Sequence, residues 1–184
     1  MLILASESPR RRELLGSLGI PFATESAVVE ELSTLDDPRE VPLRNAERKA
    51  AAVALLHPDD VVLGADTVIV AAGRVIGKPR DEADALAILL SLSEATHEVI
   101  TGLALIREAD GFHRSWSETT LVTFKPFHRA EAERYLTLVP VLDKAGAYAI
   151  QDHGDLIVDH IEGSLENVIG LPLHRLQSEL RMLK

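Results

Sequence analysis

Residues 60–85 read DVVLGADTVIVAAGRVIGKPRDEADA, a stretch in which apolar runs alternate with polar breaks. The first apolar run has the length and composition of a buried strand, pauses at Asp66 and Thr67, and then continues. A turn, a short return strand and a helix over about 81–92 are predicted to follow. This order of elements favours an α/β fold with a mixed β-sheet.

The rest of the chain continues the alternation between strand-like and helix-like segments. LILA at 2–5 predicts a buried strand, and Ser8 and Pro9 predict the start of a helix that Gly19 ends. Further predicted elements are helices over about 38–56, 129–138 and beyond Pro172, a hairpin turning near Asp110 and Gly111, and short strands within 147–150, 156–163 and 165–170. We therefore expect a single α/β domain over residues 1–184.

The composition argues against several classes of protein. The 184 residues carry a formal net charge of −10, from 29 acidic and 19 basic side chains. Such a negative field repels polyanions, so nucleic-acid binding is not expected. The chain has no cysteine, its first apolar run is too short for a signal peptide, and no run approaches the ~20 residues of a membrane span. We expect a cytoplasmic protein that binds any anion through a local positive cluster.

One such cluster directly follows the first strand. Ser6, Ser8, Arg10 and Arg11 lie where a strand passes into a helix, and a helix start presents free N–H groups and a positive dipole end. This arrangement binds phosphate, and arginine side chains add charge-assisted hydrogen bonds to its oxygens. The alternative is a solvated basic turn whose arginines pair with neighbouring glutamates.

Several charged residues elsewhere fall in unusual positions. Asp66 interrupts an apolar run, so it is paired, bound to metal, ionised at a cavity wall, or caps a turn. Lys78 follows the return strand and could reach the same cleft, and Lys49 lies near the buried stripe of its helix, where it snorkels or meets an anion. Glu30 and Glu31 form an acidic pair in a loop, a pattern typical of solvated surface.

Taken together, these residues suit phosphate oxygens and a hard divalent cation. Carboxylates combined with substrate phosphates and water commonly bind Mg²⁺ or Mn²⁺. Histidines are not clustered and cysteine is absent, so zinc chemistry is not expected. The residues alone therefore indicate a phosphoester or phosphoanhydride enzyme.

Seven stretches, in order along nearly the whole chain, resemble the Maf family of nucleotide pyrophosphatases. They are LILASESPRRRELL (2–15), ERKAAAV (47–53), the segment 63–85, THEVITGLAL (96–105), ETTLVTFK (118–125), DKAGAYAIQ (143–151) and IEGSLENVIGLPL (161–173). The resemblance implies a fold related to the inosine triphosphate pyrophosphatases, with two lobes flanking a cleft. It also implies metal-dependent hydrolysis of a nucleoside triphosphate to the monophosphate and pyrophosphate.

The resemblance further implies roles for individual residues. Asp66 corresponds to the catalytic base, and Glu31 and Asp66 to the groups that hold Mg²⁺ or Mn²⁺. The residues that the resemblance implies in phosphate binding are Ser6, Arg10, Arg11, Lys49 and Lys78. Arg10, Thr67 and Gln151 match the positions tied to substrate choice, in a combination similar to the branch acting on dTTP and UTP. A glutamine amide can pair with O4 and N3–H of uracil or thymine together, and modified pyrimidines would fit as well.

Two alternatives stay open beside this prediction. Because the family is linked to septum formation and division arrest, one is a nucleotide-binding division regulator with little turnover. The other is the sister branch, which acts on 7-methyl-GTP. Family members are often dimers, so a homodimer is also implied. Two residues depart from the family pattern: Glu94 replaces a common glycine, so its turn should avoid the left-handed conformation, and Asp152 adds a charge beside Gln151.

Overall fold

The computed structural model describes residues 1–183, which contain seven strands and six α-helices. The strands are β1 (Leu2–Ala5), β2 (Phe22–Glu25), β3 (Val61–Ala71), β4 (Arg74–Ile76), β5 (Thr96–Arg107), β6 (Phe112–Phe124) and β7 (Val158–Glu162). The helices are α1 (Pro9–Gly16), α2 (Val41–Ala54), α3 (Glu82–Leu92), α4 (Arg129–Leu138), α5 (Leu165–Ile169) and α6 (Leu173–Arg181). Within residues 1–183, no helix combines the length and apolarity that crossing a bilayer requires.

All strands belong to one mixed sheet, which confirms the predicted α/β class. The order is β2-β1-β3-β5-β6-β7, and β4 pairs with β3 beside this path. The strand β1 runs parallel to β2 and β3, whereas the other pairings are antiparallel. The strands β5 and β6 form the predicted hairpin, which turns at Gly111 with φ +68°.

The sheet supports two lobes with separate apolar cores. In one lobe, α1 and α6 cover β1 and the adjoining halves of β3, β5 and β6, with Leu15 and Leu176 fully buried. In the other lobe, α3, α4 and the segment 145–150 cover the far halves of the long strands. A cleft between the lobes opens beside the middle of β3.

The helix α2 lies directly on the sheet because two strands carry glycine beneath it. A Cβ atom on Gly64 would lie 2.1 Å from the carbonyl oxygen of Ala46, and one on Gly102 would lie 2.4 Å from that of Pro42. Both contacts are to backbone atoms, so no side-chain movement could relieve them. Glycine in a strand interior often marks such a close approach of another backbone.

The structure corrects two of the short strands expected near the C-terminus. Residues 165–170 form α5 and its cap, because the Ser164 hydroxyl accepts a hydrogen bond from the backbone N–H of Asn167 (3.1 Å) and starts a helix. The segment 147–150 is not a strand, since Gly146 and Ala147 have φ of +73° and +57° and form a tight turn. The helix α1 also ends at Gly16, one turn before the predicted Gly19.

The turn at Glu94 was also predicted wrongly. Glu94 takes φ +58°, the left-handed conformation that its side chain was expected to prevent. Its backbone N–H donates to the carbonyl of Lys125 (3.2 Å), and that of the following Ala95 donates to the carbonyl of Leu92 (3.1 Å). These bonds hold the turn between α3 and β5 despite the unfavourable conformation.

His97 lies against aromatic residues of the core beneath α3, α4 and the segment 145–150. Its ring meets Phe124 and Tyr148 edge to face, with centroids 4.8 and 5.5 Å away, and its Nε2 shares a hydrogen bond of 2.9 Å with the Tyr148 hydroxyl. Its Nδ1 is buried and has no hydrogen-bond partner within residues 1–183. Burial lowers the pKa of His97 to about 4, so the ring is neutral near pH 7.

We expect Gly64→Ala to destabilise the protein by about 1–3 kcal/mol, because the added methyl group collides with the backbone of α2. Urea unfolding should show a lower midpoint at an unchanged slope. Gly16→Ala is the matched control, since nothing lies within 4 Å of its Cβ position. Equal stability of the two variants would contradict the close approach of α2 to the sheet.

A second prediction concerns acid stability. The ordinary pKa of histidine is 6.5 and that of folded His97 is about 4, so between these values the unfolded chain binds more protons. The contribution of neutral His97 to the free energy of unfolding is therefore fully present above pH 6.5. It is lost as the pH falls to about 4, a loss of about 3 kcal/mol in total.

His97→Phe should flatten this part of the pH dependence of the unfolding free energy, measured by urea titration at closely spaced pH values. His174→Phe, which replaces an exposed histidine, is the control and should leave the slope as in the wild type. An unchanged slope in His97→Phe would show that another group causes the loss.

Candidate active site

The cleft between the lobes has a volume of about 930 Å³ and brings the sequence-predicted residues together. Its walls come from the start of α1, the loop after β2, α2, the middle of β3, the turn after β4, and the segment before β7. The predicted site residues on these walls are Ser6, Arg10, Arg11, Glu31, Lys49, Asp66, Thr67, Lys78 and Gln151. Arg12 is not among the lining residues and is exposed outside the cleft.

Asp66 is a buried carboxylate in the middle of β3, so the alternative that it caps a turn is wrong. It pairs with Gly102 of β5 and is 8% exposed. Its Oδ1 accepts a hydrogen bond from Lys49 Nζ (2.8 Å), and its Oδ2 accepts one from Asn45 Nδ2 (3.0 Å). Both donors lie on α2, one turn apart, where that helix crosses the sheet most closely.

Lys49 joins Asp66 to the acidic loop. Its ammonium lies 2.6 Å from Glu31 Oε1 and 2.8 Å from Asp66 Oδ1. Partial burial alone would raise the pKa of Glu31. The hydrogen bond and charge of Lys49, followed by the charges of Lys78 and Arg11, more than offset this, so the pKa of Glu31 lies below its ordinary value. Glu31 is therefore an ionised carboxylate facing the cleft.

The donor set suits a metal that arrives with a phosphate ligand. Within residues 1–183 no group of three or more histidine, cysteine, aspartate or glutamate side chains could hold an ion by itself. Glu31 and Asp66 nevertheless converge on one cation, the ammonium of Lys49. Magnesium is commonly held by one or two carboxylates, with substrate phosphates and water completing its ligands. The two carboxylates fit that mode of binding.

The start of α1 is a polar turn that faces the cleft. Ser8 caps the helix by accepting from the backbone N–H of Arg11 (3.4 Å), and Ser6 Oγ accepts from the backbone N–H of Ser8 (3.3 Å). Glu7 accepts from Ser26 instead of pairing with an arginine, and Glu13 makes no ion pair with the arginines in the described chain. The alternative of a basic turn neutralised by its own glutamates is therefore wrong.

Arg11 is fixed by a network that crosses the cleft floor. Its Nε donates to the carbonyl of Gly170 (2.9 Å), its Nη2 to Thr67 Oγ1 (3.0 Å) and its Nη1 to Ser6 Oγ (3.4 Å). The Thr67 hydroxyl also bonds to that of Thr101 (2.9 Å). Burial lowers the pKa of Arg11 from its ordinary value, although the nearby charge of Asp66 opposes this shift. Two of its five N–H groups stay available for a ligand.

Arg10 and Lys78 differ from Arg11 and Lys49 because they lack partners. Within residues 1–183 neither makes a hydrogen bond or an ion pair from its side chain. Burial alone would raise the pKa of Asp143, but the hydrogen bond and charge of Lys144, with a smaller contribution from the charge of Arg10, lower it below its ordinary value. Of the predicted phosphate-binding cations, Arg11 and Lys49 are therefore held by protein partners, whereas Arg10 and Lys78 are free of such partners in the described part of the chain.

Gln151 lies at the open end of the cleft, on the segment that follows the Gly146 turn. It is exposed, and its amide makes no hydrogen bond in the described part of the chain. The buried ring of Tyr148 and the side chain of Ile150 line the cleft on the same segment. A planar ring bound here could therefore pack against Tyr148 and Ile150 and form hydrogen bonds with the free amide of Gln151.

Sequence reasoning missed three groups that hold the site. Asn45 binds Asp66, Gly170 supplies a carbonyl to Arg11, and Lys144 is buried in the cleft wall, donating to Pro140 and, at 2.7 Å, to Asp143. Asn45 acts through a partner distant in sequence and Gly170 through its backbone, whereas Lys144 binds residues one and four positions away. The only local signals were an amide beside the buried stripe of α2 and a lysine next to an aspartate.

Comparisons with known proteins agree with the predicted family. A family model described as Maf-like protein matches residues 1–183. A protein of Akkermansia muciniphila named dTTP/UTP pyrophosphatase is 46% identical over 173 residues, which cover 94% of this chain and 90% of that protein. A protein of the same name from Symbiobacterium thermophilum is 45% identical over 175 residues, covering 95% and 89%.

The fold has a structural counterpart in the Ham1 protein of Staphylococcus aureus. The TM-score is 0.57 at 13% sequence identity, and the match covers 100% of this chain and 99% of that one. At this level of identity the likeness concerns the fold alone.

Proposed function

The chain belongs to the Maf-like protein family, and we propose that it hydrolyses dTTP and UTP to the nucleoside monophosphate and pyrophosphate. Relatives named dTTP/UTP pyrophosphatase supply the substrate class, since they match over nearly the whole chain. The observation that carries the proposal is the buried Asp66 carboxylate, which lies in one cleft with five basic side chains, Arg10, Arg11, Lys49, Lys78 and Lys144. Pure nucleotide binding would not require such a carboxylate, which weighs against a regulator without turnover.

In this proposal Asp66 acts as the general base for the attacking water. A carboxylate held between two donors keeps a fixed direction and is poised to take a proton from water at the α-phosphorus. Arg10 and Lys78, which lack protein partners, would neutralise the triphosphate oxygens. Ser6 and the N–H groups at the start of α1 would bind the same phosphates, and Arg11 would reach them from its fixed position.

We further propose that Glu31 and Asp66 hold Mg²⁺ or Mn²⁺ together with the triphosphate. When bound, such an ion supplies Lewis-acid polarisation of the phosphoanhydride and neutralises developing charge. In this structure Lys49 directs both carboxylates to a common position through bonds of 2.6 and 2.8 Å. The cytoplasmic location, which was predicted from the composition, stays a prediction, as do the homodimer and the role in division arrest, which the resemblance implies.

Substrate choice is assigned to Gln151 and Thr67 in different ways. The free amide of Gln151 offers one donor and one acceptor group, which match O4 and N3–H of a pyrimidine base. The Thr67 hydroxyl is hydrogen-bonded to Arg11 and Thr101. We therefore infer that Thr67 affects triphosphate binding by fixing the position of Arg11. Arg10 would contribute as a free cation at the cleft entrance.

We expect Asp66→Asn to lower kcat by about 10²–10⁴-fold, because a positioned general base contributes that much. The measurement is pyrophosphate release from dTTP, UTP, CTP, GTP and 7-methyl-GTP with Mg²⁺ or Mn²⁺, alongside thermal unfolding. Asp159→Asn, which alters an exposed aspartate on β7, is the control.

Three results would each remove a part of this proposal. Undiminished turnover in Asp66→Asn would rule out its role as base. Faster release from 7-methyl-GTP than from UTP would place the chain in the sister branch. No release from any of the five nucleotides, despite tight binding, would favour the regulator.

Thr67→Val should raise KM for dTTP and UTP by about tenfold with a smaller effect on kcat, because Arg11 loses a hydrogen-bond acceptor and its orientation. Thr67→Ser keeps the hydroxyl and should retain the KM of the wild type. Steady-state kinetics of both variants test this role. If serine impairs the enzyme as much as valine, the Thr67 methyl group matters and not its bond to Arg11.

A further inference from the structure

We propose that Asn45 is a positioning residue that fixes one oxygen of Asp66 and, through the same amide, holds the Glu31 loop against it. This inference rests on the proposed function, since it assigns a task at the same site. Asn45 is 2% exposed and lies on α2, one turn before Lys49. It has no counterpart among the residues that the family resemblance implied.

The hydrogen bonds of the Asn45 side chain determine which way its amide points. Its Oδ1 accepts from the backbone N–H of Leu32 (2.8 Å), and its Nδ2 donates to the carbonyl of Leu32 (3.0 Å) and to Asp66 Oδ2 (3.0 Å). A flipped amide would place oxygen against two oxygens and an NH₂ group against an N–H. The side chain therefore pairs with Leu32 as a neighbouring strand would, with one further donor for Asp66.

The loop that carries Glu31 depends on this contact. Residues 27–36 lie outside the helices and strands, and in the described chain their backbone makes hydrogen bonds only through Leu32. Their remaining polar attachment is the ion pair between Glu31 and Lys49. Apart from the packing of Ala27 against the core, the loop is thus attached to the rest of the protein by two side chains of α2, and both of these side chains also bind Asp66.

The two attachments differ in what a substrate can do to them. Lys49 is a cation, so an arriving triphosphate or metal ion competes for it or for its carboxylate partners. Asn45 is neutral and buried, and its three bonds are to protein groups. Asn45 therefore keeps Oδ2 of Asp66 occupied while Lys49 changes partners. Oδ1 is therefore the oxygen of Asp66 that is available to take the proton from the attacking water.

Asn45→Leu is the variant that tests the proposal, because leucine approximates the size of asparagine but removes the amide. We expect kcat for dTTP to fall by about 10- to 100-fold, because Asp66 loses a hydrogen bond to its charged group. KM should be nearly unchanged, because Asn45 itself does not touch the substrate. Hydrogen–deuterium exchange should become faster at the Leu32 amide, whose bond to Asn45 is lost, and therefore in peptides that contain it, while peptides from β3 and β5 keep their protection.

Asn45→Asp is the second variant and tests the donor alone. Aspartate keeps an acceptor for the Leu32 N–H but turns an oxygen toward Asp66 and the Leu32 carbonyl. We expect it to lose at least as much kcat as Asn45→Leu. Glu47→Gln is the control, since Glu47 lies on the same helix and bonds to Ser115 on β6 (2.7 Å), and it should match the wild type in both measurements.

Two outcomes would overturn the proposal: wild-type kcat in Asn45→Leu, or faster exchange that spreads through α2 and β3 and shows general destabilisation. The exchange measurement needs no turnover, so it tests the attachment of the loop even if the wild type releases no pyrophosphate. Failure of the proposed function and failure of this inference are therefore distinguishable.

Discussion

The contact between the backbone of α2 and the sheet is the constraint from which the site follows. At Gly64 and Gly102 there is no room for a methyl group between helix and strands. A helix held further from the sheet would carry Asn45 and Lys49 away with it, and their bonds of 3.0 and 2.8 Å to Asp66 could not form. Without these donors, the Asp66 carboxylate would be buried with no partner, at a cost of several kcal/mol. Packing of one helix thus decides whether the central carboxylate can exist in the core.

The same site resolves the conflict between an acidic protein and an anionic ligand. The chain has a net charge of −10, yet its cleft gathers basic side chains from α1, α2 and the turn after β4. Arg11 and Lys49 are held by protein acceptors, whereas Arg10 and Lys78 have no side-chain partner within residues 1–183 and would be free to bind the proposed triphosphate. Fixed groups lose little freedom when a ligand binds, and free groups supply charge that the protein has not already neutralised. This division explains why basic residues of similar appearance in the sequence differ in their surroundings.

Features that arise from local chemistry could be predicted from the sequence, and those that arise from distant contacts could not. The Ser8-Pro9 helix start, the β5–β6 hairpin and the exceptional place of Asp66 in an apolar run all show in adjacent residues. The helix α5 was mistaken for a strand because its apolar residues are few and Ser164 carries the deciding cap. Asn45 looked like any polar residue of an amphipathic helix, since its partners lie 13 and 21 positions away. The conformation of Glu94 was predicted wrongly because a hydrogen bond to Lys125, 31 residues away, helps to compensate its strain.

The long strands have a mechanical consequence for the cleft. From Val62 to Val70, β3 stays in unbroken register with β5, from Ile106 to Glu98, and this ladder passes beneath both lobes. Two bodies that share continuous strands have no flexible joint between them, so rotation of one against the other would have to bend the paired strands. The sheet therefore couples the two walls of the cleft. The rim of the cleft includes the segments 26–37 and 143–153, which lie outside this ladder.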